Sequence, residues 1–193
     1  MHRLLLFLSL IPLLVALVLR KLNADRVLRL ARETRLQITG EKLARKMLDS
    51  TGHQDVEINT TKRRWAGAAV IGEDWISLPT DHANGKSAYD HGQAALRVGL
   101  FLISLRGQSA ISRRRWALRF GHVFPIFTTI VCIFGLVVAK LPALWVLSVV
   151  MGALGLAACA QILTVSTNMQ AAALAAVVLE KKRTLPRLSE EEA

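Results

Sequence analysis

Long uncharged apolar runs interrupt this chain in three places. Residues 4–19, 123–139 and 141–165 contain no Asp, Glu, Lys or Arg, and the last two runs are 17 and 25 residues long. About 20 apolar residues are enough to cross the hydrocarbon core of a bilayer. The pattern therefore predicts three transmembrane helices. The first is expected to be an uncleaved anchor. A basic Arg-Lys pair follows it directly, where a signal peptide would have a cleavage site of small residues.

The segment between the first two runs has shorter, mixed patterns. Residues 39–52, TGEKLARKMLDSTG, predict an amphipathic helix with Thr39 as its N-cap and Gly52 at its C-terminal end. Its apolar side chains recur on one helical face, at Leu43, Ala44, Met47 and Leu48.

Three strand-like pieces follow that helix. They are residues 55–59, 67–71 and 74–78, and the last two are joined by a turn at Gly72 and Glu73. Residues 94–105 are too short to span a bilayer and predict a buried or interface-lying helix. A small sheet packed on helices is the expected result.

These elements define the expected fold class: a mostly α membrane protein with three transmembrane helices and a small cytoplasmic α+β portion. The predicted regions are an anchor (1–20), the α+β portion (21–119), a transmembrane hairpin (120–165) and a charged cytoplasmic tail (166–193).

The charge distribution changes how the net charge of +11 is interpreted. Residues 20–119 contain 19 Lys and Arg against 10 Asp and Glu, which the positive-inside rule places in the cytoplasm. The N-terminus is then outside and the C-terminus inside. We therefore expect the basic surface to attract anionic lipid headgroups and expect no nucleic-acid partner. Both cysteines lie in apolar runs, which argues against a disulfide framework.

The order of these parts resembles the membrane-bound neutral zinc metallopeptidases of bacteria, the YugP-like family. The most specific part of the resemblance is the opening signature. It is the stretch of about 20 residues that starts at Thr39, TGEKLARKMLDSTGHQDVEI. The resemblance covers most of residues 1–180 and implies a bacterial cytoplasmic membrane protein with an anchor, short strands, a zinc-binding helix and a transmembrane hairpin.

The family's zinc helix carries a His-Glu-x-Gly-His motif, in which two imidazoles four residues apart bind the metal and the glutamate activates water. Aligned without gaps from Leu78, the motif falls on residues 96–100, Leu-Arg-Val-Gly-Leu. Both ligand positions, Leu96 and Leu100, lack a donor atom. The base position, Arg97, carries a permanent cation.

Two further polar features of the family also differ in this chain. A later acidic motif, implied to supply the remaining ligand, aligns with residues 164–170, where Ser166 and Asn168 replace its carboxylates. An Asp-His-Tyr-Asp-Pro segment maps onto the apolar residues 67–71. The resemblance therefore implies a degenerate member with no catalytic residues and no cofactor. We expect a metallopeptidase-like scaffold or partner-binding subunit that associates with other membrane protein subunits.

Two alternatives stay open at this level. The first is an active zinc metallopeptidase whose ligands have moved to two Asp-His pairs, Asp81 with His82 and Asp90 with His91; otherwise these pairs form a solvated loop, with Asp90 capping the next helix. The second is a lipid-organising protein that acts through its basic face. A Gly-Lys-Ser sequence at residues 85–87 lacks the earlier glycine of a phosphate-binding loop and is expected to form a turn.

Overall fold

A computed structural model describes residues 11, 14, 15, 18, 27–62 and 70–182 of the chain. A helical segment at 27–33 precedes the main elements. These are, in chain order, helix α1 (Gly40–Ser50), strands β1 (Glu57–Thr61) and β2 (Trp75–Pro79), and helices α2 (Thr80–Asn84), α3 (Ala88–Arg106), α4 (Gln108–Val137) and α5 (Ala143–Lys182). The described protein is mostly helical with one small sheet, as the sequence predicts.

Helix α1 confirms the prediction from the opening signature. The Thr39 hydroxyl accepts a hydrogen bond from the Lys42 backbone amide at 3.4 Å, and Gly52 adopts φ +83° beyond the C-terminal end. Such a positive φ favours glycine, which has no Cβ to clash. The four predicted apolar side chains are all buried, and they are Leu43, Ala44, Met47 and Leu48.

The sheet has two strands, and they pair in parallel. Ile58 lies opposite Ile76, and β1 begins two residues later than the sequence predicts. The predicted turn at Gly72 is present, since the Gly72 amide donates to the Trp75 carbonyl at 2.8 Å and Ile71 bridges to Ile76 in antiparallel fashion. Most of the predicted strand at 67–71 lies outside the described residues.

Helix α3 confirms the predicted buried helix at 94–105 and extends it at both ends. It packs against α1 and β2, and its inward face includes the fully buried Val98 and Leu100. Burial of such side chains supplies the main favourable term in folding, on the order of 1.5 to 3 kcal/mol each. The core around α3 contains residues from α1, from β2 and from the C-terminal part of α5.

Two helices correspond to the second and third predicted spans. Helices α4 and α5 have 30 and 40 residues, about 45 and 60 Å, and both are long and apolar enough to cross a membrane. Many of their large apolar side chains are exposed. Helix α4 begins before its predicted run and ends two residues short of it, whereas α5 begins two residues late and continues without a break through residues 166–182. The first predicted span, 4–19, lies outside the described residues except for residues 11, 14, 15 and 18.

Contacts divide the chain into two compact units. One consists of Met1–Ala24 and Arg113–Val165, and the other of Asp25–Ser112 and Ser166–Ala193. The second unit, within the residues described, contains the sheet, α1, α2, α3 and the C-terminal part of α5. It also contains the aligned ligand and base positions Leu96, Arg97 and Leu100, and Ser166 and Asn168 of the later motif.

Candidate functional site

Helix α3 carries the positions of the zinc-binding motif, and a capping box fixes its first turn. The Ser87 hydroxyl accepts from the Asp90 amide at 3.2 Å, while the Asp90 carboxylate accepts from the Ser87 amide at 3.3 Å. Ser87 is therefore the N-cap, and the prediction that Asp90 itself caps the helix is wrong by three residues. The Ser-x-x-Asp spacing in the sequence was the signal that could have identified this cap.

The three altered motif positions have different environments on α3. Leu100 is fully buried and belongs to the apolar core, and Leu96 packs against the same core while remaining partly exposed. Arg97 is half-buried, and its Nε atom is out of contact with water. Since residues four apart lie on one helical face, Leu96 and Leu100 share the face on which the family's two imidazoles would lie.

The second motif segment lies on α5, which crosses α3 at very short range. A Cβ atom added at Gly99 would overlap the backbone carbonyl of Ala171. Asn168 is half-buried one helical turn before Ala171, whereas the Ser166 side chain is exposed. The fold thus brings the region of the aligned acidic motif to the helix that carries the aligned zinc motif, as a shared metal site would require.

The side chains at this crossing do not fit a zinc ion. Zinc in proteins is held by imidazole, thiolate or carboxylate groups, and a catalytic site needs three of them. Leu96 and Leu100 have no donor atom, and the guanidinium of Arg97 has no lone pair to offer. The segment that aligns with the later motif offers the hydroxyl of Ser166 and the amide of Asn168, and neither is a carboxylate.

The relocated candidates are only partly brought together. His82 Nδ1 lies 2.8 Å from Asp90 Oδ1, and the other Asp90 oxygen accepts from the Ser87 hydroxyl at 2.6 Å. The Asp81 side chain is exposed. In the described part of the chain, no group of three His, Cys, Asp or Glu side chains is placed to hold a metal ion.

His91, the fourth candidate, is directed into its own helix. It is buried, and its Nδ1 donates to the Ser87 carbonyl at 2.8 Å. The Nε2 atom is also buried and has no hydrogen-bond partner among the residues that are described. The sequence predicts a solvated His91, because the residues around it are mostly polar. Its burial depends on tertiary contacts that a local pattern does not show.

Electrostatics at the capping box favour an ionised Asp90. Burial raises the pKa of this carboxyl group, but hydrogen bonds from Ser87 and His82 and the charge of His82 outweigh burial and leave the pKa below its ordinary value of 3.8. His82 also meets Tyr89 edge to face, with ring centroids 5.5 Å apart. The Asp90 carboxylate therefore holds α2 and the start of α3 together.

Asp90→Asn is expected to lower the free energy of unfolding by about 1 kcal/mol at pH 7, which is typical for loss of a helix cap. Because the pKa of Asp90 is lower in the folded chain, its ionised form stabilises the fold above the unfolded pKa of about 3.9. That contribution is lost as pH falls through the folded pKa. The difference in stability between wild type and variant should therefore shrink toward acid in thermal unfolding between pH 7 and 3.

Asp55→Asn is the matched control, because Asp55 is exposed in a loop. It is expected to leave stability within about 0.5 kcal/mol of wild type at every pH. A difference between wild type and Asp90→Asn that is constant over this pH range would contradict the assigned role of the carboxylate.

The described chain is a mostly helical protein with two long apolar helices and a small two-stranded sheet, and the positions aligned with the zinc motif lie where α3 and α5 cross. A family model described as "Putative neutral zinc metallopeptidase" matches residues 4–193, nearly the whole chain. The chain belongs to this family, which confirms the resemblance seen in its sequence. Searches of curated proteins and of solved structures found no match.

Proposed function

We propose that this chain is a non-catalytic member of the neutral zinc metallopeptidase family and acts as a scaffold or partner-binding subunit in a membrane complex. The observation that carries the proposal is the sequence Leu-Arg-Val-Gly-Leu at residues 96–100, with Leu100 fully buried in the core. A leucine at this depth fills with apolar volume the place where a metal ligand would be needed. The surrounding fold persists because its helix packing does not depend on a metal.

Three residue changes act together against catalysis. The two ligand positions are leucine, and Arg97 introduces a positive charge beside the place where a divalent cation would bind. At about 4 Å two unit charges of like sign repel by roughly 4 kcal/mol at the effective dielectric of a protein surface, and a divalent ion doubles that repulsion. The cation at position 97 cannot take a proton from water, because its guanidinium stays protonated. Binding through the retained fold is the remaining role that the residues support.

The proposal places the chain in a bacterial cytoplasmic membrane, with the N-terminus outside and the C-terminus inside. Support comes from the length and apolar composition of α4 and α5 and from the excess of Lys and Arg in residues 20–119.

Metal content tests the proposal directly. The full-length chain, purified in mild detergent with excess zinc and then dialysed, is expected to retain far less than one zinc per chain by mass spectrometry of the metal. The His82→Ala/His91→Ala double variant, which removes both imidazoles of the relocated candidates, should give the same value. The physical reason is that neither the aligned motif nor the His82–Asp90 pair supplies three donor groups.

One tightly held zinc per chain that disappears in the double variant would overturn the proposal and favour an active enzyme with relocated ligands. Hydrolysis of a membrane protein or a peptide would overturn the proposal equally, if a metal chelator abolishes that hydrolysis. The binding role is tested by extracting the chain from its native membrane in mild detergent. The chain should elute with another membrane protein at a fixed ratio, and elution of the chain alone would contradict that role.

A further inference from the structure

A groove in the second unit lies where α3 gives way to α4 and faces the C-terminal part of α5. It has a volume of about 490 Å³. One wall is apolar and comes from α5, through Ala173, Leu174 and Val177. The opposite rim carries Arg106, at the end of α3, and Ser109, in the first turn of α4. The groove thus combines an apolar wall with a cationic rim.

The polar groups at the groove are not engaged elsewhere in the described protein. Arg106, Ser109 and Gln170 have no ion-pair or hydrogen-bond partner among the side chains that the structure describes, and all three residues are exposed. The segment 106–119 contains five arginines and no carboxylate. An anionic ligand would therefore meet a cation at the groove and no opposing negative charge along the following segment.

The apolar wall indicates what the rest of the ligand is made of. Helix α5 carries no charged side chain from residue 166 to residue 179, so the wall that it gives to the groove is uncharged along its whole length. An acyl chain could lie along this wall without meeting a charged side chain. A free anion would leave that wall unused.

We infer that this groove binds one anionic phospholipid, with its phosphate on Arg106 and an acyl chain against Ala173, Leu174 and Val177. Basic pockets at the cytoplasmic ends of membrane helices bind anionic headgroups in this way. The inference rests on the membrane location proposed above, but it does not depend on whether the chain binds zinc. The inference adds one defined lipid site to the general attraction between the basic face and anionic headgroups.

The test uses the full-length chain in a non-ionic detergent, with lipid binding counted by native mass spectrometry and followed by thermal shift. Phosphatidylglycerol is expected to bind and to raise the melting temperature, whereas phosphatidylcholine and inorganic phosphate are not. Arg106→Gln should weaken phosphatidylglycerol binding about fivefold, the factor for roughly 1 kcal/mol from one cation near the membrane surface. Arg29→Gln, which changes an exposed arginine outside the groove, should leave the affinity unchanged.

A second pair of variants tests the apolar wall without removing charge. Ala173 and Ala172 are adjacent and exposed on α5, but only Ala173 lines the groove. Ala173→Phe should abolish the specific lipid peak by filling the groove, and Ala172→Phe should retain it. Because both sites are exposed, both variants are expected to fold.

Several results would overturn the lipid site. These are equal binding of phosphatidylcholine, equal affinities for Arg106→Gln and Arg29→Gln, or lipid binding by Ala173→Phe at the wild-type level. Stabilisation by inorganic phosphate alone would assign the groove to a free anion, and self-association that lipid does not affect would assign it to a second copy of the chain. Recovery of the chain from the aqueous fraction of cells would instead refute the membrane location on which the site rests.

Discussion

Gly99→Ala is expected to lower the free energy of unfolding by about 1–3 kcal/mol or more, since overpacking a close contact costs that much in typical proteins. The added Cβ would overlap the carbonyl oxygen of Ala171 on α5, and its other near neighbours are also backbone atoms. Backbone cannot rotate away as the end of a flexible side chain can, so α3 and α5 would have to separate. Thermal or denaturant unfolding in detergent measures the effect.

Gly92→Ala supplies a control on the same helix. Gly92 is exposed, and a Cβ there would meet nothing within 4 Å. Alanine is the better helix former by about 0.5–1 kcal/mol, so this variant should be as stable as wild type or more stable. Equal stabilities for the two variants would show that α3 and α5 do not approach as closely as the structure places them.

This contact also explains why a glycine stands at position 99. In the aligned zinc motif the glycine lies between the base and the second ligand, so its presence could be taken as a remnant of catalysis. Here its role is steric, because it lets the backbone of α5 approach α3. The helix crossing therefore needs this glycine whether or not zinc is bound, and its presence does not argue for activity.

Leu100→Ala is expected to lower the free energy of unfolding by about 2–5 kcal/mol, the usual range for truncating a buried leucine. Leu100 is fully buried, in a core to which α1, β2 and α5 contribute. The truncation removes apolar contacts and leaves a cavity that the neighbouring elements fill only in part. Unfolding monitored by circular dichroism, with the protein at constant detergent concentration, checks the size of the loss.

Leu105→Ala is the comparison for this change, since Leu105 lies on the same helix and is 53% exposed. Its truncation should change stability by no more than about 0.5 kcal/mol. If Leu100→Ala were tolerated as well as Leu105→Ala, position 100 could not be a core position. The proposal that leucine replaces a ligand by filling its space would then lose its support.

Much of the secondary structure and the chemistry of the motif could be predicted from local patterns. The Thr39 cap, the buried face of α1 and the apolar runs on α4 and α5 follow from periodicity and composition within one segment. The character of residues 96–100 is also local, because a side chain without a donor atom lacks one in any fold. The family resemblance drew on the same information and is confirmed by the match over residues 4–193.

Other features depended on contacts between distant segments and were missed. The helix cap was assigned to Asp90, when Ser87 performs that role and Asp90 supports it from the third position. His91 was expected in solvent but is buried. Residues 166–182 were assigned to a charged tail, although residues 143–182 form one helix and Ala171 and Ala175 enter the core beside α3.

The sequence by itself determined where the apolar segments lie, which residues begin and end α1, and that the aligned ligand positions carry leucine and the aligned base position arginine. Those properties belong to single side chains or to their spacing along a few turns of chain. Only the tertiary structure decided that α5 crosses α3 at Gly99, that Leu100 is enclosed, and that Arg106 lies beside an apolar groove. Such contacts join residues about 70 positions apart, and their energies come from close packing, which no local pattern encodes.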